Sequence, residues 1–288
     1  MAPPIGANTW VWVSPLTDDR LAELAPRLAG WGFDVAELPI EELGDWGPAR
    51  SAELLAGLGL GATICAVMPP GRELVAAPPD VVAATQAYLR GCVDAAAAVG
   101  SGVVAGPMYA SVGRTWRMTP AERQGVAVEL REALAPVADY AAARGVRLAV
   151  EPLNRYETSV CNTVEQGLEL LDGLPAEAVG LALDVYHLNI EERSPAAAVR
   201  AAGAAGRLAH VQVCANDRGA PGADHMDWPA LRDALAAAGY AGPLCIESFT
   251  AENASIATAA SIWRPLARSQ DSIATDGLAF LRSLYAAS

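Results

Sequence analysis

The feature that most constrains the fold is a regular alternation of short apolar segments with longer, helix-like segments. Eight of the apolar segments have the length and composition of buried strands: Ile5–Val13, Val35–Leu38, Leu60–Val67, Gly102–Gly106, Val146–Glu151, Val179–Asp184, Leu208–Val213 and Leu244–Ser248. Short apolar runs of this kind are typical of strands that are covered on both faces. Strands that alternate with helices along a chain predict a parallel sheet.

Eight helix-like segments separate and follow these strands. They are Asp18–Gly30, Pro48–Leu58, Asp80–Val99, Pro120–Ala143, Thr163–Leu171, Pro195–Ala205, Pro229–Ala238 and a last segment around Asp271–Leu284. Thr17 precedes the first helix as an N-cap and Gly30 stands where its C-cap is expected, while Thr119 precedes a proline at the first position of the fourth helix. Eight such units in about 250 residues predict a closed (β/α)8 barrel, which we place over residues 1–288 as a single domain.

Composition limits the partners of the chain. The 288 residues are 52% hydrophobic and 18% charged, which is enough apolar surface for a large core, and the formal net charge is −13. Nucleic-acid binding depends on Lys and Arg that neutralise phosphate, so this acidic chain without a basic run predicts no nucleic-acid partner. The sequence from Met1 to Trp10 has no signal-peptide pattern and no apolar run has transmembrane length, which predicts a cytoplasmic protein with no membrane partner.

Cysteine and histidine usage narrows the possible metal chemistry. The five cysteines are an odd number without a CxxC pair, so we expect buried, reduced thiols. Cys65 lies near the end of the third predicted strand, where core packing is the expected role. The three histidines of the chain exclude a His-rich metal cluster.

Polar residues end four consecutive strands in the second half of the chain. Side chains alternate between the two faces of a strand, and in each of these strands one face carries branched apolar residues that suit packing against outer helices. The opposite face therefore lines the barrel interior and ends in Glu151, Asp184, Gln212 or Glu247. Active sites of such barrels lie at the carboxyl ends of the strands.

Three carboxylates that converge in a partly buried place repel one another unless a cation neutralises them. Carboxylate and amide oxygens are hard ligands, which favour Mn²⁺, Mg²⁺ or Co²⁺ over a thiolate-type zinc site. His210 also faces the interior and competes with Gln212 for the third ligand position, but it lies about 6–7 Å deeper along its strand. We therefore predict Gln212 as the ligand and His210 as a buried, hydrogen-bonded residue.

Aromatic residues near the predicted mouth suggest walls for an organic substrate, since apolar rings commonly stack on the C–H face of a sugar. Trp10 and Trp12 are two residues apart in the first predicted strand, so strand alternation places both on one face, where they either fill the core or share a wall of the interior. Tyr109, Trp116 and Phe249 are further candidates.

Four motifs of the second half occur in the order of a known enzyme family. They are Glu151-Pro-Leu-Asn-Arg-Tyr-Glu157, Asp184-Val-Tyr-His187, His210-Val-Gln212 followed by Asn216-Asp-Arg218, and Ile246-Glu247-Ser-Phe249. Together they resemble the ketose 3-epimerases that act on D-tagatose, D-allulose (psicose) or L-ribulose, within the wider group of metal-dependent sugar isomerases and epimerases with a TIM barrel.

The resemblance implies roles for nine residues. It implies one divalent metal ion, Mn²⁺ before Co²⁺ or Mg²⁺, held by Glu151, Asp184, Gln212 and Glu247. Glu151 and Glu247 would also be the catalytic acid and base, and the substrate would be held by Glu157, His187, Arg218, Trp116 and Phe249. The resemblance further implies a homodimer or homotetramer that takes a small free sugar as its substrate.

Gln212 departs from the family pattern, in which a histidine usually stands at this position. Glutamine there resembles the hydroxypyruvate isomerase branch. We therefore expect inversion at C3 of a free ketose through a cis-enediolate, with an aldose–ketose or hydroxypyruvate-type isomerase as the alternative that uses the same metal and glutamates. A metal-dependent endonuclease is disfavoured by the net charge of −13. A non-catalytic sugar-binding protein would not need both Glu151 and Glu247.

Overall fold

The fold is a closed barrel of eight parallel strands, seen in a computed structural model that describes residues 2–286. The strands pair in chain order and the last pairs with the first, so that the sheet has no free edge. They are β1 Ile5–Asn8, β2 Val35–Ile40, β3 Gly61–Ala66, β4 Val103–Gly106, β5 Arg147–Val150, β6 Val179–Asp184, β7 Leu208–Val213 and β8 Leu244–Ile246. The predicted (β/α)8 barrel is confirmed; Met1, Ala287 and Ser288 of the predicted domain lie outside the described residues.

The described residues form ten α-helices and one short 3₁₀-helix at Thr9–Val11. The α-helices are α1 Asp18–Trp31, α2 Pro48–Leu58, α3 Pro79–Ala98, α4 Pro120–Ala142, α5 Val164–Leu170, α6 Val185–Glu191, α7 Pro195–Ala204, α8 Trp228–Ala237, α9 Ala254–Ala259 and α10 Gln270–Ala286. Eight of them match the predicted helices to within a few residues. The short helices α6 and α9 follow β6 and β8 and were not among the predicted helices.

The two faces of the strands divide as the alternation predicts. Branched side chains of β5 to β8, such as Leu148, Leu181 and Val211, belong to the large core between the sheet and the outer helices. Small residues of the other face, among them Ala105, Ala149 and Ala182, form a separate cluster inside the barrel. The interior is therefore packed with small side chains, which leaves the polar strand ends to define the chemistry of the mouth.

The first strand is shorter than predicted, which corrects the expectation for its two tryptophans. The strand ends at Asn8, whose side-chain Oδ1 accepts a hydrogen bond of 2.9 Å from the Trp10 backbone N–H and so begins the 3₁₀-helix. The alternation of a strand no longer applies beyond that point. Trp10 packs beside Phe249 at 6.0 Å between ring centroids, whereas Trp12 stacks on Trp31 at 5.9 Å. The two rings do not share a wall.

Helix ends follow local capping chemistry. Thr119 and Glu122 form a capping box at the start of α4, in which each side chain accepts a hydrogen bond from the backbone of the other. The expectation for the end of α1 was wrong by two residues, because Gly30 is still helical and Gly32 takes the left-handed conformation with φ +91°. A glycine suits this position since it has no Cβ to clash there.

All five cysteines are buried and free, as expected. Among residues 2–286, no helix has both the length and the apolar character that a membrane crossing needs.

A glycine at the end of β4 marks a close approach between two strands. Gly106 has φ +144°, and a Cβ at this position would lie 2.4 Å from the Ala66 carbonyl oxygen of β3. We expect Gly106→Ala to lower the free energy of unfolding by about 2 kcal/mol or more, through backbone strain and this clash. Chemical denaturation measures the effect. Gly102→Ala, where a Cβ would meet nothing within 4 Å, is the control and should stay within about 0.5 kcal/mol.

Candidate active site

The structure brings the four predicted strand-end residues to one end of the barrel. Glu151 directly follows β5, Asp184 ends β6, Gln212 lies in β7 and Glu247 directly follows β8. The sheet register aligns Asp184 with Gln212, and the Asp184 side chain also caps α6 by accepting a hydrogen bond of 2.9 Å from the Tyr186 backbone N–H. All four side chains are buried.

Crowding and burial perturb all three carboxylates of this group. Burial, the charge of Glu247 and the charge of Asp184 together raise the pKa of Glu151 well above its usual range. Burial raises the pKa of Glu247 to about 8, against the opposing influence of Arg218. Burial also raises the pKa of Asp184, and Arg218 only partly offsets it. The positive charge of Arg218 therefore does not compensate the whole group.

Arg218 supplies the one guanidinium that contacts this cluster among the described residues. Its Nη1 forms ion pairs with Asp184 and, at 3.1 Å, with Oε2 of Glu247. The guanidinium lies between two rings, 4.1 Å from the centroid of Tyr186 and 4.8 Å from that of Phe249. Arg218 was predicted to hold substrate, and the structure places it directly against two of the predicted metal ligands.

His187 lies on α6, in a segment where no helix was predicted. Its Nδ1 accepts a hydrogen bond of 3.0 Å from the Asn154 backbone N–H. Its Nε2 lies 3.2 Å from Nη2 of Arg218, 3.6 Å from Oε1 of Glu151 and 3.7 Å from Oδ2 of Asp184. Burial and the nearby Arg218 hold the pKa of His187 well below its usual range. The imidazole is therefore neutral near pH 7 and reaches the same space as the carboxylates.

The other three predicted substrate residues lie at different distances from this centre. Glu157 accepts a hydrogen bond of 2.7 Å from the Asn154 side chain, which also contacts His187. Phe249 packs on Arg218 and on Trp10. Trp116 lies on the loop before α4 with the Arg114 guanidinium over its ring, 4.7 Å from the centroid. Its role as a second stacking wall stays a prediction.

His210 and Gln212 differ in a way that bears on the choice of ligand. His210 Nε2 contacts Oε2 of Glu37 at 2.6 Å, deep in the interior. The Gln212 amide nitrogen donates to Oε1 of Glu37 at 2.9 Å and to Oε1 of Glu247 at 2.8 Å. Because both neighbours are acceptors, the amide orientation is determined, and the buried Oε1 of Gln212 has no hydrogen-bond partner among the described residues.

The unpartnered Oε1 of Gln212 and the excess negative charge of the carboxylates are the two observations that bear on whether a metal ion fits here. With all three carboxylates ionised, they and the one guanidinium leave two uncompensated negative charges, which one divalent cation would neutralise. Glu151, Asp184 and His187 each offer a ligand atom within 4.8 Å of the others. Hard oxygen donors with a free amide carbonyl suit Mn²⁺, Mg²⁺ or Co²⁺. The residues present therefore fit a divalent cation, although His187 was not among the predicted ligands.

A second group of possible ligands lies beneath the first. Glu37, His210 and Cys245 have ligand atoms within 4.8 Å of one another. The oxygens of Glu37 are already occupied by hydrogen bonds from His210, Gln212, Asn8 and Thr63. We therefore interpret this group as a hydrogen-bonded support of the site.

Glu37, Asn8 and Asn154 also contact the predicted site residues, although none of the three was predicted to do so. The sequence does contain a pattern that points to Glu37, because it is a carboxylate in an otherwise apolar strand. By strand alternation it shares a face with Val35, and the residues of the other face, Ala36 and Leu38, pack in the outer core. The same alternation that selected Glu151 applies to it.

Comparison with known proteins identifies the wider group. Residues 26–284 match the family described as xylose isomerase-like TIM barrel. A probable ketose 3-epimerase of Synechocystis is 33% identical over 97% of this chain and 96% of its own length. An L-ribulose 3-epimerase of Mesorhizobium japonicum is 31% identical, over 96% of this chain and 92% of its own.

A solved structure agrees with these relatives. The D-allulose 3-epimerase of Methylomonas, in complex with D-allulose, superposes with a TM-score of 0.89 at 29% identity and covers 99% of this chain and 98% of its own. The match extends over nearly the whole chain. The chain belongs to the xylose isomerase-like TIM barrel family and is homologous to its ketose 3-epimerases.

Proposed function

We propose that this protein is an isomerase that inverts C3 of a free ketose of the D-tagatose, D-allulose/D-fructose or L-ribulose type. The observation that carries the proposal is a pair of buried carboxylates, Glu151 and Glu247, that border one cluster at the mouth and both have a raised pKa. Relatives named L-ribulose 3-epimerase and ketose 3-epimerase match nearly the whole chain.

The proposed reaction needs two groups that move a proton at one carbon. In our proposal one of Glu151 and Glu247 removes the C3 proton from one face of the sugar, and the other returns a proton to the opposite face. A carboxylate whose pKa is raised towards neutrality is suited to both accepting and donating a proton at neutral pH. The planar intermediate between the two steps is a cis-enediolate.

We propose that Glu151, Asp184, Gln212 and Glu247 hold one divalent cation, with Mn²⁺ preferred to Co²⁺ and Mg²⁺. When bound, such a cation supplies Lewis-acid stabilisation of negative charge on the substrate oxygens. The free carbonyl oxygen of Gln212 and the uncompensated charge of the carboxylates support this assignment.

The substrate itself would be held by residues around this centre. Arg218 presents a guanidinium that can donate to a sugar oxygen, and neutral His187 presents Nε2 beside it. Glu157 would accept hydrogen bonds from hydroxyl groups. Phe249, and Trp116 from the opposite loop, would pack against the C–H face of the sugar.

Replacement of Glu247 tests its proposed role as a base. We expect Glu247→Gln to keep the fold and to lower incorporation of solvent deuterium at C3 by at least about 100-fold, because the amide cannot accept the proton. Nuclear magnetic resonance of the ketose in deuterium oxide measures the exchange. Glu252→Gln, an exposed glutamate on the same loop, is the control and should exchange at the wild-type rate. Undiminished exchange in Glu247→Gln would exclude this role.

The position of the label separates the epimerase from the alternative isomerase. Gln212, which resembles the hydroxypyruvate isomerase branch, is the observation that favours the alternative. An epimerase places deuterium on C3 and yields a second ketose, whereas an aldose–ketose isomerase transfers a proton between C1 and C2, so that deuterium enters C2 of an aldose product or C1 of the ketose. Incubation with D-allulose, D-tagatose, L-ribulose and hydroxypyruvate identifies the preferred substrate and the reaction.

Removal of divalent cations tests the proposed cofactor. We expect dialysis against a chelator to abolish C3 exchange and addition of Mn²⁺, Co²⁺ or Mg²⁺ to restore it, since the carboxylate cluster then regains its neutralising charge. Metal analysis of the purified protein, with activity measured in parallel, identifies the native ion. Full activity in metal-free protein would refute the proposed cofactor.

The remaining proposals concern the whole molecule. We propose that residues 1–288 act as one domain, that the protein is cytoplasmic and that it assembles as a homodimer or homotetramer. The acidic net charge of −13 and the absence of a basic run support a protein without nucleic-acid partners. Light scattering coupled to size-exclusion chromatography measures the oligomeric state.

A further inference from the structure

Glu37 is a fully buried carboxylate inside the barrel. It lies in the first half of the sequence, whereas the predicted ligands lie in the second half. It lies in β2, and the sheet register aligns it with Asn8 of β1 and Thr63 of β3. None of its atoms is exposed to solvent. A charge in such a position is costly unless hydrogen bonds and an opposite charge satisfy it.

Both oxygens of Glu37 are fully used. Oε1 accepts hydrogen bonds from Asn8 Nδ2 at 3.0 Å and Gln212 Nε2 at 2.9 Å. Oε2 accepts one from Thr63 Oγ1 at 3.0 Å and contacts His210 Nε2 at 2.6 Å. Each of these four neighbours can donate a hydrogen bond, so the Glu37 carboxylate is an acceptor towards all of them.

The consequence for Gln212 is a single amide orientation. Its Nε2 lies between Glu37 and Glu247, at 2.9 and 2.8 Å from their Oε1 atoms. Rotation of the amide by half a turn would place the Gln212 carbonyl oxygen against two carboxylate oxygens, which would both lose the hydrogen bond that they accept from Gln212 Nε2. The nitrogen is therefore held towards Glu37, and the unpartnered Oε1 is left for the site.

The two acceptors of this amide are not equivalent. Glu247 is itself a proposed metal ligand and proton carrier, so its oxygens change partners during function. Glu37 contacts Gln212 and three residues that are not proposed ligands, namely Asn8, Thr63 and His210. Outer partners of this kind orient metal ligands and commonly change metal affinity by about 10- to 100-fold when they are replaced.

We propose that Glu37 is a positioning residue whose carboxylate holds the Gln212 side chain so that its carbonyl oxygen, and not its nitrogen, faces the divalent cation. This inference rests on the proposed metal-dependent function. It assigns to β2 a part in a site whose four proposed ligands come from β5 to β8.

A double-mutant cycle tests this inference through metal affinity, without reference to activity. The dissociation constant for Mn²⁺ is measured by electron paramagnetic resonance for wild type, Glu37→Gln, Gln212→Met and the double variant. Methionine keeps an unbranched shape, removes the amide and offers a sulfur that is a poor ligand for Mn²⁺. We expect Glu37→Gln to raise the dissociation constant by about 10- to 100-fold in the wild-type background and by less than about 3-fold in the Gln212→Met background.

Two further variants keep the result interpretable. Glu73→Gln neutralises another buried carboxylate, which pairs with Arg114 and Ser111 away from the site, and should leave the Mn²⁺ affinity unchanged. Glu37→Asp keeps the charge but withdraws the carboxylate by one methylene group. It replaces Glu37→Gln in the cycle if circular dichroism shows that the amide variant does not fold, with the same pattern expected.

The outcomes separate the inference from the proposed function. Equal losses of affinity in both backgrounds, or no loss in either, would overturn the role of Glu37 while leaving the metal site in place. Wild-type protein that binds neither Mn²⁺, Co²⁺ nor Mg²⁺ would overturn the proposed metal-dependent function and the positioning role with it.

Discussion

Mutual repulsion among buried carboxylates is the constraint on which the rest of this structure depends. Glu151, Asp184 and Glu247 are gathered at the mouth of the barrel, where burial raises the pKa of each. A chain tolerates this arrangement only if it supplies compensating groups. Arg218 supplies one positive charge, and the remaining deficit of two charges matches a divalent cation. Repulsion and its relief therefore link the architecture of the mouth to the proposed chemistry.

The architecture itself was accessible from the sequence because it depends on periodic patterns. Strand alternation in β5 to β8 separates the residues of the outer core from those of the interior. This alternation placed Glu151 and Gln212 on the interior face without information from the first half of the chain. The pattern also selected Gln212 over His210 from depth alone. The structure gives a further reason for that choice, since His210 contacts Glu37 and Gln212 keeps a free oxygen.

What the sequence could not provide depends on contacts between distant segments. Trp12 was expected beside Trp10, but the Asn8 side chain ends the strand and redirects the chain, an effect of one hydrogen bond that periodicity does not contain. The short helix α6 was not predicted. It begins at the side chain of Asp184, which the sequence had assigned to the site and not to a helix cap. The partners of Glu37 come from β1, β3 and β7, so only the closed barrel reveals them.

The hydrogen bonds around Glu37 also show that the two halves of the barrel contribute differently to the proposed site. All four proposed ligands belong to β5 to β8, yet the amide of Gln212 is oriented from β2, and Asn8 of β1 reaches both Glu37 and Glu247 across the seam where the barrel closes. A fragment that contained only the second half would carry all four proposed ligands, but it would lack Glu37 and Asn8, the groups that orient the Gln212 amide and contact Glu247. Competence to bind a cation in the proposed manner therefore depends on the closed barrel, in which the first and last strands are paired.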